Sequence, residues 1–428
     1  MDFKEAVNWL YGFQRFGIKP GLERISYLTN SLGNPQDCYK VVHVAGTNGK
    51  GSVCRYLENI LKQNGYKVGV YTSPHIQSIK ERITINNRQI TENEIICLVE
   101  KVKPIAEQLI SSGDAPTFFE IFTALAFQFL KEQKVDFAII EVGLGGRFDA
   151  TNIVNPEVSV ITNVSFDHQN ILGEKLEDIA FEKSGIIKEN IPIVTAAKDN
   201  AFNVIDKIAE EKNCIINKID DSNWKRLKTD YGSQEFFIRG FLNDYTVETR
   251  IMGGFQGENI ALAIGAVEFL KNNGVEISYD SILDGVKKTV NPGRMEIVSF
   301  APVVLLDGAH NQAGIKVLVD SVKNDFNYDK LILVIGILSD KKIKEILREI
   351  VPIANSIVLT KSKNSRAANP IDLENIIKEL KLYKPTVIKE DVEDAVIYAK
   401  TVAEKEDLIC ITGSLFTVGE ARDFLVKN

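Results

Sequence analysis

"VVHVAGTNGKGS", residues 41–52, decides how this chain is read. The familiar phosphate loop, Gly-x-x-x-x-Gly-Lys-[Ser/Thr], carries a glycine six residues before its lysine and a hydroxyl directly after it. Here Val44 stands in that glycine's place, Gly51 follows Lys50, and the hydroxyl arrives late, at Ser52. The flanks say more than the template. "KVVHVAG" predicts a buried strand. Val53, Tyr56, Leu57, Ile60 and Leu61 recur at helical spacing, and Gly65 stands where a helix C-cap belongs. Strand, glycine-rich turn and helix N-terminus together make an anion cradle, because backbone N–H groups wrap phosphate oxygens and the helix end adds partial positive charge. Lys50 adds a full charge. Ser52 could still reach a magnesium ion if Gly51 lets the backbone turn tightly. The bland alternative is a strand-to-helix turn with a surface lysine.

Outward from this loop, "KVGVYTS", "VDFAIIEVG", "PEVSVITNV" and "IPIVTA" also read as Val- and Ile-rich buried strands with helical stretches between them. That alternation predicts an α/β fold with a mostly parallel sheet covered on both faces. Residues 215–255 change character. "SQEFFIRG" and "DYTVETRI" are short, half-polar strands separated by a turn, expected as a small antiparallel appendage to the first domain. After "VNPGRME", a plausible hinge, a second α/β series begins with "PVVLLDGAHN", "KLILVIGILSD", "SIVLTKS", "PTVIKE" and "DLICITGS". The expected division is a P-loop-type domain over 1–295 and a smaller Rossmann-like domain over 296–428. No Gly-x-Gly-x-x-Gly appears in either half.

Composition is that of an ordinary globular protein, with 44% hydrophobic and 25% charged residues. A formal charge of −7 argues against a nucleic-acid binder, which usually needs a basic face. "MDFKEAVNWLYGF" lacks the layout of a signal peptide, and no apolar run reaches membrane-span length. Five scattered cysteines without a C-x-x-C pair suggest reduced thiols in a cytoplasmic protein. Monomer is the default expectation.

In open parallel sheets ligands bind beyond the carboxyl ends of the strands. The strand ends here offer Ser73 and His75 in "YTSPH", Glu141, Arg147 and Asp149 in "IIEVGLGGRFDATN", and Asp167 and His168 in "NVSFDHQ". Glu141 closes an apolar run, a costly place for a carboxylate unless it is paired or bound to metal. Magnesium suits it, with an ion pair to Arg147 as the plain alternative. Thr117 and Glu120 fit a capping box at the start of a buried helix, while Phe118 and Phe119 could equally line a flat aromatic pocket. In the second half Asp307, His310, Asn311, Thr412 and Ser414 gather at strand ends, suggesting a site that faces the first domain.

In this order, "HVAGTNGKGS", "YTSPHI", "ERI", "EVGLGGRFDATN", "DHQ", "EKSGIIK", "QGEN", "PGR", "DGAHN" and "ITGS" resemble the folylpolyglutamate synthases of the Mur ligase superfamily, many of which also act as dihydrofolate synthases. The resemblance implies ATP-dependent amide formation through an acyl phosphate, with two magnesium sites. Carried over, Thr47, Asn48, Gly49, Lys50, Gly51 and Ser52 would meet ATP, joined by Asn259, Arg294 and Asp307. Ser73, Glu141 and His168 would hold magnesium, with Lys183 as a carbamylated ligand. Ile18, Lys19, Pro20, Arg82, Thr117, Phe118, Phe119, Glu120, Phe148, Asp149 and Ala150 would form the folate or pteroate pocket. His310 and Ser414 would meet glutamate or the acyl phosphate, and Lys50, His168, Lys183 and His310 would act in catalysis. Ser184 and Gln312 depart from the family's usual alanine and proline. A monofunctional dihydrofolate synthase and another Mur-type ligase are the near alternatives. A nucleotide-dependent switch is the distant one.

Overall fold

Short runs of β-branched residues with no room for polar alternation can only be satisfied inside a sheet covered on both faces, and that is what they build. The computed structural model describes residues 1–17 and 19–427. Ile18, expected in the folate pocket, lies outside the described residues. The chain divides into two compact units. One comprises Met1–Lys225, Phe237–Val247 and Gly257–Thr289, and the other Arg226–Phe236, Glu248–Gln256 and Val290–Asn428.

The first unit is built on strands β1 (Lys40–Ala45), β2 (Val68–Tyr71), β3 (Ile83–Ile85), β4 (Arg88–Gln89), β5 (Phe137–Glu141), β6 (Val158–Ile161), β7 (Ile193–Thr195) and β8 (Ile216–Lys218). Their order is β4-β3-β2-β5-β1-β6-β7-β8. In this order pairing is parallel from β2 through β8, and the β2–β3 and β3–β4 pairs are antiparallel. The order reverses around β1, so the ends of β2, β5, β1 and β6 lie together on one edge. Helix Phe118–Glu132 buries Ile121, Phe122, Leu125 and Phe129 in one core with Tyr71, Ala138 and Ile140. Each such side chain contributes about 1.5–3 kcal/mol when fully buried.

Strands β9 (Trp224–Asp230), β10 (Ser233–Arg239) and β11 (Asp244–Thr249) form the expected small sheet, ordered β11-β10-β9. The short links between them permit only antiparallel pairing. The second unit carries β12 (Glu296–Phe300), β13 (Val303–Leu306), β14 (Leu331–Ile335), β15 (Ser356–Leu359), β16 (Thr386–Ile388) and β17 (Leu408–Thr412), ordered β12-β13-β17-β14-β15-β16. All pairs are parallel except the β12 edge. Among the described residues no helix is long and apolar enough to cross a membrane.

Candidate active site

β1 delivers the Gly-Lys loop to the sheet edge, and helix Lys50–Gln63 starts at Gly49 with no side-chain cap on its first N–H groups. Gly49 has φ +86°, and a Cβ there would lie 2.4 Å from Asn259 Oδ1, so only glycine fits. This places Asn259 directly on the loop. Gly51 faces open space, whereas Ser52 is buried. Lys50 Nζ folds back to donate to the carbonyls of Gly46 (3.0 Å) and Thr47 (3.3 Å). Lys183 Nζ, buried at the end of helix Leu176–Ser184, donates to the same Gly46 oxygen at 2.9 Å. Burial first, and then the charge of Lys50, lowers the Lys183 ammonium to about 7.

The end of β6 straps this loop. Thr47 N–H donates to the Asn163 carbonyl (2.9 Å) and Asn48 N–H to Asn163 Oδ1 (3.0 Å). Thr162 Oγ1 (2.6 Å) and Asn163 Nδ2 (3.2 Å) both donate to the Asn48 carbonyl. Thr47 Oγ1 donates to the Ser165 carbonyl and accepts from its N–H, at 3.2 and 3.1 Å. The strap leads into Asp167 and His168. His168 is exposed at φ +50°, with Nε2 3.8 Å from Asp167 Oδ1.

At the ends of β2 and β5, Ser73 meets Glu141: the Ser73 N–H donates to Glu141 Oε2 at 3.1 Å. Glu141 is buried. Arg147 ion-pairs with Glu182 at 2.6 Å, which gives that guanidinium a carboxylate other than Glu141. Asp149 is buried, and its carboxylate accepts from the N–H groups of Gly143, Leu144 and Thr151 and from the Thr151 hydroxyl. It thus holds the glycine loop in shape. Burial raises its pKa against the pull of these donors. Ala150 is buried beside it, and Phe148 is exposed with Arg147 over its ring.

An aromatic wall runs along the same unit. Tyr11 stacks on Phe118, Phe118 on Phe122, and Tyr71 on Phe119. Arg82 lies over Phe118 and Phe122 and donates from Nε to His75 Nδ1 at 2.9 Å. His75 is held near 4 by burial and by that guanidinium. The Thr117–Glu120 capping box forms, with Thr117 N–H 2.7 Å and Thr117 Oγ1 2.8 Å from Glu120 Oε2. Arg24 completes it, donating from Nε to Glu120 at 2.9 Å and from Nη2 to the Lys19 carbonyl at 2.9 Å. Lys19 Nζ reaches the Ala115 carbonyl, and Pro20 is exposed.

In the second unit, buried Asp307 accepts from the N–H groups of Met295 (3.0 Å) and Ala309 (2.9 Å), and burial raises its pKa against the charge of Arg294. His310 Nδ1 lies 2.9 Å from the Gly308 carbonyl, so that nitrogen carries the proton. Ser414 is buried, its oxygen accepting from Thr417 N–H at 3.1 Å.

Sequence reasoning did not single out Arg24, Tyr11, Tyr71, Thr162 or Asn163. Their only signals were polar residues at the end of "VITN" and an arginine in "LERI".

A parallel sheet delivering a Gly-Lys loop, followed by a second α/β unit, is the plan of the Mur ligases. Residues 44–267 match the Mur ligase middle domain, and residues 293–415 match the Mur ligase glutamate ligase domain. The dihydrofolate synthase/folylpolyglutamate synthase of Bacillus subtilis is 37% identical over 98% of each chain. Among solved structures, the folylpolyglutamate synthase of Thermotoga maritima superposes with a TM-score of 0.87 at 37% identity, covering 99% of this chain and 96% of that one. The Mycobacterium tuberculosis folylpolyglutamate synthase complexed with ADP gives 0.93 at 31% identity, covering 100% and 98%. The chain belongs to the folylpolyglutamate synthase/dihydrofolate synthase family.

Proposed function

We propose that the chain is an ATP-dependent amide ligase that adds L-glutamate to the carboxylate of a folate, and to dihydropteroate as well. The observation that carries the reading is the Gly-Lys loop, with two lysines gathered on one carbonyl, in a chain whose Mycobacterium tuberculosis relative was solved with ADP. The first-turn N–H groups of helix Lys50–Gln63 and Lys50 hold the β/γ-phosphates. Thr47, Asn48, Gly51, Ser52 and Asn259 shape that cradle.

Among the described residues, no three His, Cys, Asp or Glu side chains converge as a metal cluster. That fits magnesium shared with substrate, since the ion takes one or two carboxylates and fills its shell with phosphate oxygens and water. Ser73, Glu141 and His168 would hold one such ion, and Lys183 would ligate a second. Magnesium supplies neutralisation of phosphate charge. Lys183 suits this role only as a carbamate, because an ammonium repels the metal. Its lowered pKa favours the neutral amine that reacts with carbon dioxide.

Phe118 and Phe119, with Arg82 over the Phe118 ring, take the pterin ring. Lys19, Pro20, Phe148 and Ala150 border it, and Asp149, Thr117 and Glu120 hold its frame. The folate carboxylate attacks the γ-phosphorus, ADP leaves, and the glutamate amine displaces phosphate from the acyl phosphate. His310 receives the amine's proton, and Ser414 meets the glutamate or the acyl phosphate.

Incubating the protein with Mg-ATP, glutamate and either dihydropteroate or tetrahydrofolate, and measuring ADP release, tests the proposal. Release is expected with both acceptors. Release with neither would overturn the reading, and release with one would restrict it to a single activity.

A further inference from the structure

The phosphate loop contains one peptide that points the wrong way for its neighbours. In the 46–47 and 47–48 peptides the N–H faces β6, donating to the Asn163 carbonyl and Asn163 Oδ1. Their carbonyls face the lysines: Gly46 O takes Lys50 and Lys183, and Thr47 O takes Lys50. The 48–49 peptide is reversed. Its carbonyl, Asn48 O, faces β6 and accepts from Thr162 Oγ1 at 2.6 Å and Asn163 Nδ2 at 3.2 Å. A trans peptide sets N–H antiparallel to C=O. The Gly49 N–H therefore faces the side where Lys50 Nζ lies, and the positive φ of Gly49 makes that reversal cheap.

We propose that Thr162 and Asn163 are positioning residues for nucleotide binding. By holding the Asn48 carbonyl toward β6 they aim the Gly49 N–H into the phosphate cradle. Were the peptide to flip, a carbonyl oxygen would face the phosphate instead of a donor. Thr162 is fully buried and its hydroxyl donates to this one carbonyl. Glycine at 49 leaves the flip sterically open, so side-chain donors are needed to select one orientation. The inference rests on the reading of this loop as the nucleotide site.

Isothermal titration of the full-length protein with Mg-ADP and Mg-AMPPCP tests it, alongside steady-state kinetics and thermal melts without nucleotide. Thr162→Val removes the donor at nearly constant volume. It should weaken both nucleotides by about tenfold or more, as loss of a donor to a charged group does. KM for ATP should rise with KM for glutamate unchanged, and Thr162→Ser should restore binding. Asn163→Asp, which keeps the acceptor for Asn48 N–H and loses the Nδ2 donor, should weaken binding in the same way and carries the test if Thr162→Val fails to fold. Binding within about twofold of the unaltered protein in a folded Thr162→Val or Asn163→Asp variant overturns the proposal. Failure of the unaltered protein to bind either nucleotide overturns the reading of the site itself.

Discussion

His43 is fully buried inside β1 and belongs to the frame that shapes the glycine loop. Its Nε2 pairs with Thr151 Oγ1 at 2.9 Å, and the Thr151 hydroxyl donates to Asp149. Nε2 therefore carries the proton, and buried Nδ1 has no partner. Burial first, and the charge of Lys188 second, hold the ring near 3, so it stays neutral in the fold. The unfolded chain binds this proton below about 6.5 while the folded chain refuses it until about 3, so stability is full above 6.5 and falls as pH drops through that window. The slope from this ring alone is about 1.4 kcal/mol per pH unit. Urea melts between pH 7.5 and 4.5 should show a shallower acid loss in His43→Gln than in the unaltered protein, and equal slopes would discard the account. The strand was legible from "KVVHVAG", but the ring's link to the glycine loop was not, because its partner is far off in sequence. The same holds for Arg24 on Glu120 and Asn163 on Asn48. By contrast the Thr117–Glu120 box was readable because both residues lie within one helical turn.

At the scale of elements, the helix that begins at the phosphate loop is fixed by a second helix, Tyr279–Lys288, which crosses it at Gly285. A Cβ at Gly285 would sit 2.4 Å from Ile60 Cα, so any side chain must part the two backbones. Gly285→Leu should destabilise the protein by about 1–3 kcal/mol or more, the range for overpacked cores. It should also weaken nucleotide binding, since the loop rides on this helix. A melting temperature unchanged in Gly285→Leu would show that the helices can separate freely. The buried strands β1, β2, β5, β6 and β7 were readable as apolar runs. β3, β4 and β8 are too short to carry a pattern, and β9, "WKRLKTD", is a largely charged strand that reads as loop.

At the scale of the whole molecule, the chain changes unit at 225/226, 236/237, 247/248, 256/257 and 289/290. The second unit is therefore assembled from three stretches, and one contact shows what this means. Asp325 is buried, and its ion partner is Arg226 of β9, which lies far upstream in the sequence. A fragment spanning 290–428 leaves that carboxylate without its cation, a loss of about 3–5 kcal/mol for a buried pair. Asp325→Asn should raise the melting temperature of that fragment and lower that of the full chain. If it lowers both, the stranded charge is not the cause. The last change of unit, at 289/290, falls beside "VNPGRME", whereas the earlier returns carry no such signal, since polar half-strands announce neither which unit they join nor which residues they serve.

That threading has a bearing on heredity. A gene for this fold recombined with a relative's at a single point near residue 290 would inherit a C-terminal unit from one parent and its β9 arginine from the other. Shuffling within the family is then tolerated only where both parents agree on the short upstream stretches, so the two units must evolve as one lineage.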